Sequence, residues 1–83
     1  MTMHPWQIIV KLESTGDTMS LQVFATDTIG SVKVQIRQSE GIPTGSQWTT
    51  FRGELLMDSR TVAECNIQNG STIGLLLLAG TVD

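Results

Sequence analysis

Alternating apolar and polar residues near the start of the chain predict two strands. From Trp6 the apolar side chains recur at every second position, and the same period of two returns over residues 19–23. Such alternation is typical of strands that bury one face. The turn-forming run STGD at residues 14–17 separates the two segments. We therefore expect an antiparallel hairpin whose inner face begins at Trp6.

The next segment has the period of an α-helix. Apolar residues recur at spacings of three and four, and Thr28 supplies a side-chain oxygen suited to capping the first turn. Gly41 can adopt the left-handed conformation that ends helices, and Pro43 disfavours a helical residue before it. We predict a helix capped at Thr28 and ending near Glu40, with an inner face of Ile29, Val32 and Ile36.

The second half of the chain predicts three further strands and one helical turn. Residues 47–51 are rich in threonine and aromatic side chains, and Arg52 with Gly53 turns the chain into a short strand ending near Leu56. The spacing of Thr61 and Glu64 is that of a capping box, which predicts a short helical turn. Residues 71–78 form the last predicted strand, with Ile73, Leu75 and Leu77 facing inward.

This order of elements predicts one α+β domain with a mixed sheet wrapped across a helix. The 83 residues, 40% hydrophobic and 16% charged, suffice for a single packed core. We expect the domain to occupy residues 6–78 and to work as a monomer. Residues 1–5 and 79–83 are expected to be flexible ends.

Composition limits the classes of partner and the cellular compartments that we expect for this protein. The net charge of -3 disfavours nucleic acid, and the longest apolar run is too short to span a bilayer. The start of the chain lacks the cationic region of a secretory signal. The single cysteine excludes an internal disulfide and favours a reducing compartment. We therefore expect a cytoplasmic or nuclear protein without nucleic acid or membrane partners.

The residues that could carry chemistry are isolated from one another along the chain. Cys65 would need a nearby base, and the only histidine, His4, lies in the first few residues. Asp58 and Glu64 lack the third ligand of a metal site, and the glycines do not form a phosphate-binding loop. We predict no catalytic, cofactor-binding or metal site, and we interpret Cys65 as a packing residue.

Several motifs of the chain resemble ubiquitin. They are DTIGSVKVQI in the predicted helix, EGIP at its end, and then FRGELL, DSRTVAECNIQ and ST before the last strand. The resemblance extends from Trp6 to about Leu78, with one extra residue in the first hairpin. It implies the β-grasp fold, in which a mixed five-stranded sheet wraps around one α-helix with a short second helical turn.

The resemblance weakens at the positions that serve covalent attachment. Ubiquitin and its conjugated relatives end in two glycines, whereas this sequence continues as LLLLAGTVD. The two best-known linkage lysines are replaced by Glu54 and Asn69. The resemblance therefore implies a non-covalent interaction module of a larger protein, linked to ubiquitin, proteasome or chaperone machinery. The alternative is a conjugated or sulfur-carrying modifier that is processed after Gly80.

The best-known docking patch of the family is also altered. Its four positions hold Ser14, Thr50, Gly74 and Leu76, while two neighbouring arginine positions hold Trp48 and Leu78. A different exposed apolar surface is therefore expected. Two roles for its tryptophan stay open, since the indole can anchor a partner or only shield the sheet. The expected binding surface comprises Trp48, Thr50, Arg52, Gly53, Gly74, Leu76 and Leu78.

Overall fold

The first strand of the chain lies inside a mixed five-stranded sheet. In the computed structural model, which describes residues 4–78, the sheet order is β2-β1-β5-β3-β4. The central pair β1 and β5 is parallel, and the other strand pairs are antiparallel. The elements are β1 Trp6–Leu12, β2 Thr18–Val23, α1 Ile29–Glu40, a 3₁₀ turn Thr44–Ser46, β3 Gln47–Phe51, β4 Glu54–Leu55 and β5 Thr72–Leu77.

The hydrophobic core lies between α1 and the inner face of the sheet. Strand positions two apart point to one face, so the alternation in the sequence becomes a continuous apolar layer. Trp6 is half-buried and packs against this layer, as predicted. The arrangement confirms the α+β class and the β-grasp fold. The buried apolar residues are Ile8, Val10, Leu21, Val23, Ile29, Val32, Ile36, Val62, Ile67, Ile73 and Leu75.

Both ends of α1 are capped where the sequence predicts. The hydroxyl of Thr28 accepts a hydrogen bond from the backbone N–H of Ser31 at 3.1 Å. Gly41 has a φ of 74°, and its N–H donates to the carbonyl of Arg37 at 2.8 Å. These bonds satisfy backbone groups that a helix end otherwise leaves unpaired. The helix bounds are therefore set by local sequence.

Two details differ from the expectations, the exposure of Leu77 and a 3₁₀ turn before β3. Leu77 was expected to face inward, but it is 42% exposed, although its cross-strand partner Gln47 is buried. The capping box at Thr61 forms the predicted short turn, closed by a 3.1 Å hydrogen bond from Cys65 N–H to the carbonyl of Thr61. The 3₁₀ turn Thr44–Ser46 was not predicted. The expected flexible segment 79–83 and residues 1–3 lie outside the described residues.

Two polar side chains lie within the inner layer of β3. The amide Nε2 of Gln47 donates to the carbonyls of Lys33 and Ile42, each at 3.0 Å, and so ties the strand to α1 and to the segment that follows the helix. Thr49 is completely buried, and its hydroxyl has no hydrogen-bond partner. A buried polar group without a partner lowers stability, because it loses its hydrogen bonds to water.

The substitution Thr49→Val is expected to stabilise the domain by about 1 kcal/mol, because valine keeps the shape and removes the unpaired hydroxyl. Urea unfolding at neutral pH measures the change. Thr18→Val, at an exposed position of β2, is the matched control and should change stability by less than about 0.5 kcal/mol. A loss of stability in Thr49→Val would contradict the unpaired state of the hydroxyl.

The capping box is held by a reciprocal pair of hydrogen bonds. Thr61 N–H donates to Glu64 Oε1 at 2.9 Å, and Glu64 N–H donates to Thr61 Oγ1 at 3.1 Å. The bonds from the backbone and then the side chain of Thr61 lower the pKa of the Glu64 carboxyl below its ordinary value of 4.5, with a smaller contribution from Arg60. The ionised carboxylate therefore stabilises the folded state.

Because the folded-state pKa of Glu64 is lowered, its stabilising effect is present above pH 4.5 and is lost as the pH falls through the folded value. Glu64→Gln keeps an acceptor for Thr61 N–H but removes the charge. The stability deficit of Glu64→Gln should therefore be greatest near neutral pH and shrink in acid. Urea unfolding across this pH range measures it. The prediction fails if the deficit near neutral pH does not exceed that of Glu54→Gln, which removes another exposed charge.

Candidate protein-binding surface

The pairing of β3 with β5 sets the outer face of the sheet. Trp48 lies opposite Leu76, and the flanking pair of Thr49 and Leu75 is buried in the core. Directly opposed side chains on one face approach to about 5 Å. Trp48 is 40% exposed and Leu76 is 43% exposed. The indole therefore lies on the outer face, as expected from the sequence.

Leu78 extends this exposed surface beyond the end of β5. Its N–H donates to the carbonyl of Ser46 at 2.9 Å, which continues the ladder by one position. Its side chain is exposed and follows Leu76 at the strand period of two. We call the exposed set of Trp48, Leu76 and Leu78 the apolar strip.

Gly74 lies next to the apolar strip, opposite Thr50. A Cβ atom on this glycine would overlap the Oε1 atom of Glu13, and it would lie 2.6 Å from the hydroxyl oxygen of Thr50. The glycine therefore leaves the space that the carboxylate of Glu13 fills. Sequence reasoning named both Gly74 and Thr50 but missed Glu13, which reaches this face from the end of the first hairpin strand.

Arg52 and Gly53 form the turn between β3 and β4. Their φ angles are 55° and 80°, and two positive values are typical of a tight hairpin turn. The guanidinium carbon of Arg52 lies 5.4 Å from the centre of the Phe51 ring. Four residues of strand span about 13 Å, so Arg52 lies well away from Trp48. The structure thus brings the expected surface residues together, except for Arg52 and Gly53 in this turn.

A groove of about 440 Å³ lies at the edge of β3, on the other side of Trp48. Leu55 and Met57 line it together with Trp48, and they are 56% and 62% exposed. Neither was expected at the surface. The apolar run of residues 55–57 is the sequence signal for this exposure, because neighbouring residues of an extended chain cannot all face one side. Of the three, only Leu56 packs against the core.

An ion pair lies at this groove. Lys33 Nζ is 2.6 Å from Asp58 Oδ1, and the lysine side chain is only 12% exposed. The Asp58 carboxylate therefore compensates the charge of the helix lysine. The backbone carbonyl of Asp58 accepts a bond from Gly30 N–H at 3.0 Å. This segment is therefore fixed to α1 by two separate contacts.

Cys65 is the candidate nucleophile among the residues that the structure describes. Cys65 is half-buried, and desolvation raises the pKa of its thiol, although Arg60 partly opposes this. A raised pKa keeps the thiol protonated, which is the opposite of an activated nucleophile. Within residues 4–78, no three metal-binding side chains cluster. In the same range, no helix is long and apolar enough to cross a membrane. The arrangement is chemically suited to contact between apolar surfaces.

Comparison with known proteins agrees with the architecture. The family profile described as "Ubiquitin family" matches residues 8–79. The chain is 39% identical over 69 residues to the ubiquitin-like protein NEDD8-like protein 2 of Dictyostelium discoideum, covering 83% of this chain and 86% of that protein. It is 30% identical over 71 residues to ubiquitin-like protein NEDD8 of the same organism, covering 84% and 92%.

A further relative is much longer than this chain. The human splicing factor 3A subunit 1 is 32% identical over 62 residues, which cover 75% of this chain and only 8% of that protein. Similar sequences therefore occur both as small proteins and as one part of a large protein. The profile match, the relatives and the sheet wrapped across one helix agree, and this chain belongs to the ubiquitin family.

Proposed function

We propose that this domain binds other proteins non-covalently through the apolar strip and is not an enzyme. The observation that carries the proposal is the exposure of Trp48 directly opposite Leu76, on a sheet whose other face is fully used by the core. Burial of one large apolar side chain contributes about 1.5 to 3 kcal/mol. Tryptophan is among the residues most enriched at binding hot spots.

Net charge and side-chain chemistry favour protein binding over nucleic-acid binding and over catalysis. The net charge of -3 disfavours a phosphate-rich partner, and the raised pKa of the Cys65 thiol disfavours nucleophilic catalysis. The occurrence of a similar region in splicing factor 3A subunit 1 favours a module that serves a longer protein. We extend the proposal to a monomeric domain of the cytoplasm or nucleus.

The proposed partners are proteins of the ubiquitin, proteasome or chaperone machinery. Ser14, Thr50 and Gly74 stand where the family's best-known patch carries larger side chains, so receptors that require that patch should bind weakly. A partner suited to this domain would instead engage the indole of Trp48. The competing role of Trp48, as a shield over the sheet, predicts that its removal changes stability but not binding.

Trp48→Ala and Leu76→Ser are expected to weaken partner binding at least about tenfold while leaving the fold intact, because each removes apolar surface that a partner would bury. Partners isolated by affinity capture would be purified and titrated against each variant by calorimetry, with circular dichroism checking the fold. Val34→Ser is the matched control, since Val34 has the same exposed fraction as Leu76 but lies on α1. Equal binding by Trp48→Ala and the wild-type domain would reject the apolar strip as the interface.

A second function is favoured by the NEDD8-like relatives. In this alternative, processing after Gly80 exposes a carboxylate that an activating enzyme adenylates and transfers as a thioester. Gly80 lies outside the described residues. A chain ending at Gly80, incubated with activating enzymes and ATP, should form no thioester if the domain works only by non-covalent binding. An adduct that depends on ATP and is cleaved by thiols would establish the modifier function instead.

A further inference from the structure

A carboxylate lies on the outer face of the sheet beside the apolar strip. Glu13 Oε1 occupies the space over Gly74 that a side chain would otherwise fill, next to the hydroxyl of Thr50. The backbone holds Glu13 at this place, because its N–H donates to the carbonyl of Leu75 at 3.0 Å. The position of this carboxylate is therefore set by the sheet.

The Glu13 carboxylate is available to a partner. Its residue is exposed, and within residues 4–78 it forms no ion pair, since the ion pair found there joins Lys33 to Asp58. Lys11 also faces outward and is the parallel cross-strand partner of Gly74. It is the cation most able to compete for Glu13. A binding face that combines this carboxylate with large apolar side chains is complementary to a cation next to apolar side chains.

A helix fits this face better than an extended segment, because β5 is paired with β1 on one side and with β3 on the other and leaves no row of free backbone groups for an added strand. Leu78, Leu76 and Gly74 follow one another at every second position, so each step along the strand is about 6.6 Å. One turn of an α-helix advances about 5.4 Å, and residues four apart lie on one face about 6 Å apart. A helix laid along β5 would thus place two apolar side chains on the apolar strip and a third side chain over Glu13.

We infer that the partner of the apolar strip is an amphipathic helix that carries two large apolar residues one turn apart and a lysine or arginine one turn further, over Glu13. This inference rests on the proposed function and specifies the chemistry of the partner. The apolar residues supply most of the affinity. The pairing of this cation with Glu13 selects the direction of the helix. A partner with an acidic residue at the same place is rejected, because its carboxylate would oppose that of Glu13.

A display library of helical peptides with randomised surface positions tests the inference. It is selected in parallel on the wild-type domain, Trp48→Ala, Glu13→Gln and Glu13→Lys. Sequences selected on the wild-type domain should share two apolar residues one turn apart and a basic residue at the next turn. This basic preference should vanish on Glu13→Gln and become acidic on Glu13→Lys. Few of these peptides should bind Trp48→Ala.

Titration of one selected peptide against domain variants measures how much the Glu13 carboxylate contributes to binding affinity. Glu13→Gln should weaken binding about two- to fivefold at low salt, the range of an exposed ion pair, and added salt should reduce the difference. Lys11→Gln should tighten binding of the same peptide, because it removes the competing cation. Glu54→Gln is the control for net charge and should leave affinity nearly unchanged. The side chain of Glu13 can be replaced without loss of its backbone bond to Leu75.

The outcomes separate this inference from the proposed function. Peptides that need Trp48 but show no basic preference, or that bind Glu13→Gln equally well, overturn the inference and leave the apolar strip as the interface. Peptides that bind equally well to Trp48→Ala contradict both. A self-association that Trp48→Ala abolishes, seen by sedimentation at high concentration, would identify a second copy of the domain as the occupant and would also overturn the inference.

Discussion

The antiparallel pairing of β3 with β5 decides both the core and the outer surface of this domain. Its register places Thr49 opposite Leu75 in the interior, and the period of two then forces Trp48 and Leu76 to the outside. A shift by one residue would exchange the two faces and expose the core of both strands. The surface proposed for binding is therefore a direct consequence of the pairing that closes the core.

The polar residues at the other edge of β3 serve a different purpose. Gln47 donates to the carbonyls of Lys33, within α1, and of Ile42, just after it, and the side chain of Lys33 pairs with Asp58. These contacts hold the segment after β4 against the helix and form one wall of the groove beside Trp48. The indole consequently lies at a corner, where the outer face of the sheet meets this groove. A partner that covers Trp48 can contact both surfaces.

The outer face of the sheet carries a charge beside its apolar side chains because of one small residue. Gly74 has no side chain, so the carboxylate of Glu13 can lie against the sheet between the strands. Any larger residue there would move that carboxylate. In the proposed interface, apolar contact and charge therefore come from neighbouring positions, which can vary independently.

The sequence by itself determined the elements of this fold, because their signals are local. Thr28 and Gly41 cap the helix through bonds within a few residues, and the alternation in β1 and β5 identifies the inner face. The outward position of Trp48 also followed from alternation. Only the tertiary structure decided the exposure of Leu55, Leu77 and Met57 and the position of Glu13 over Gly74. These features depend on where the core ends and on contacts between residues distant in sequence, which no local pattern records.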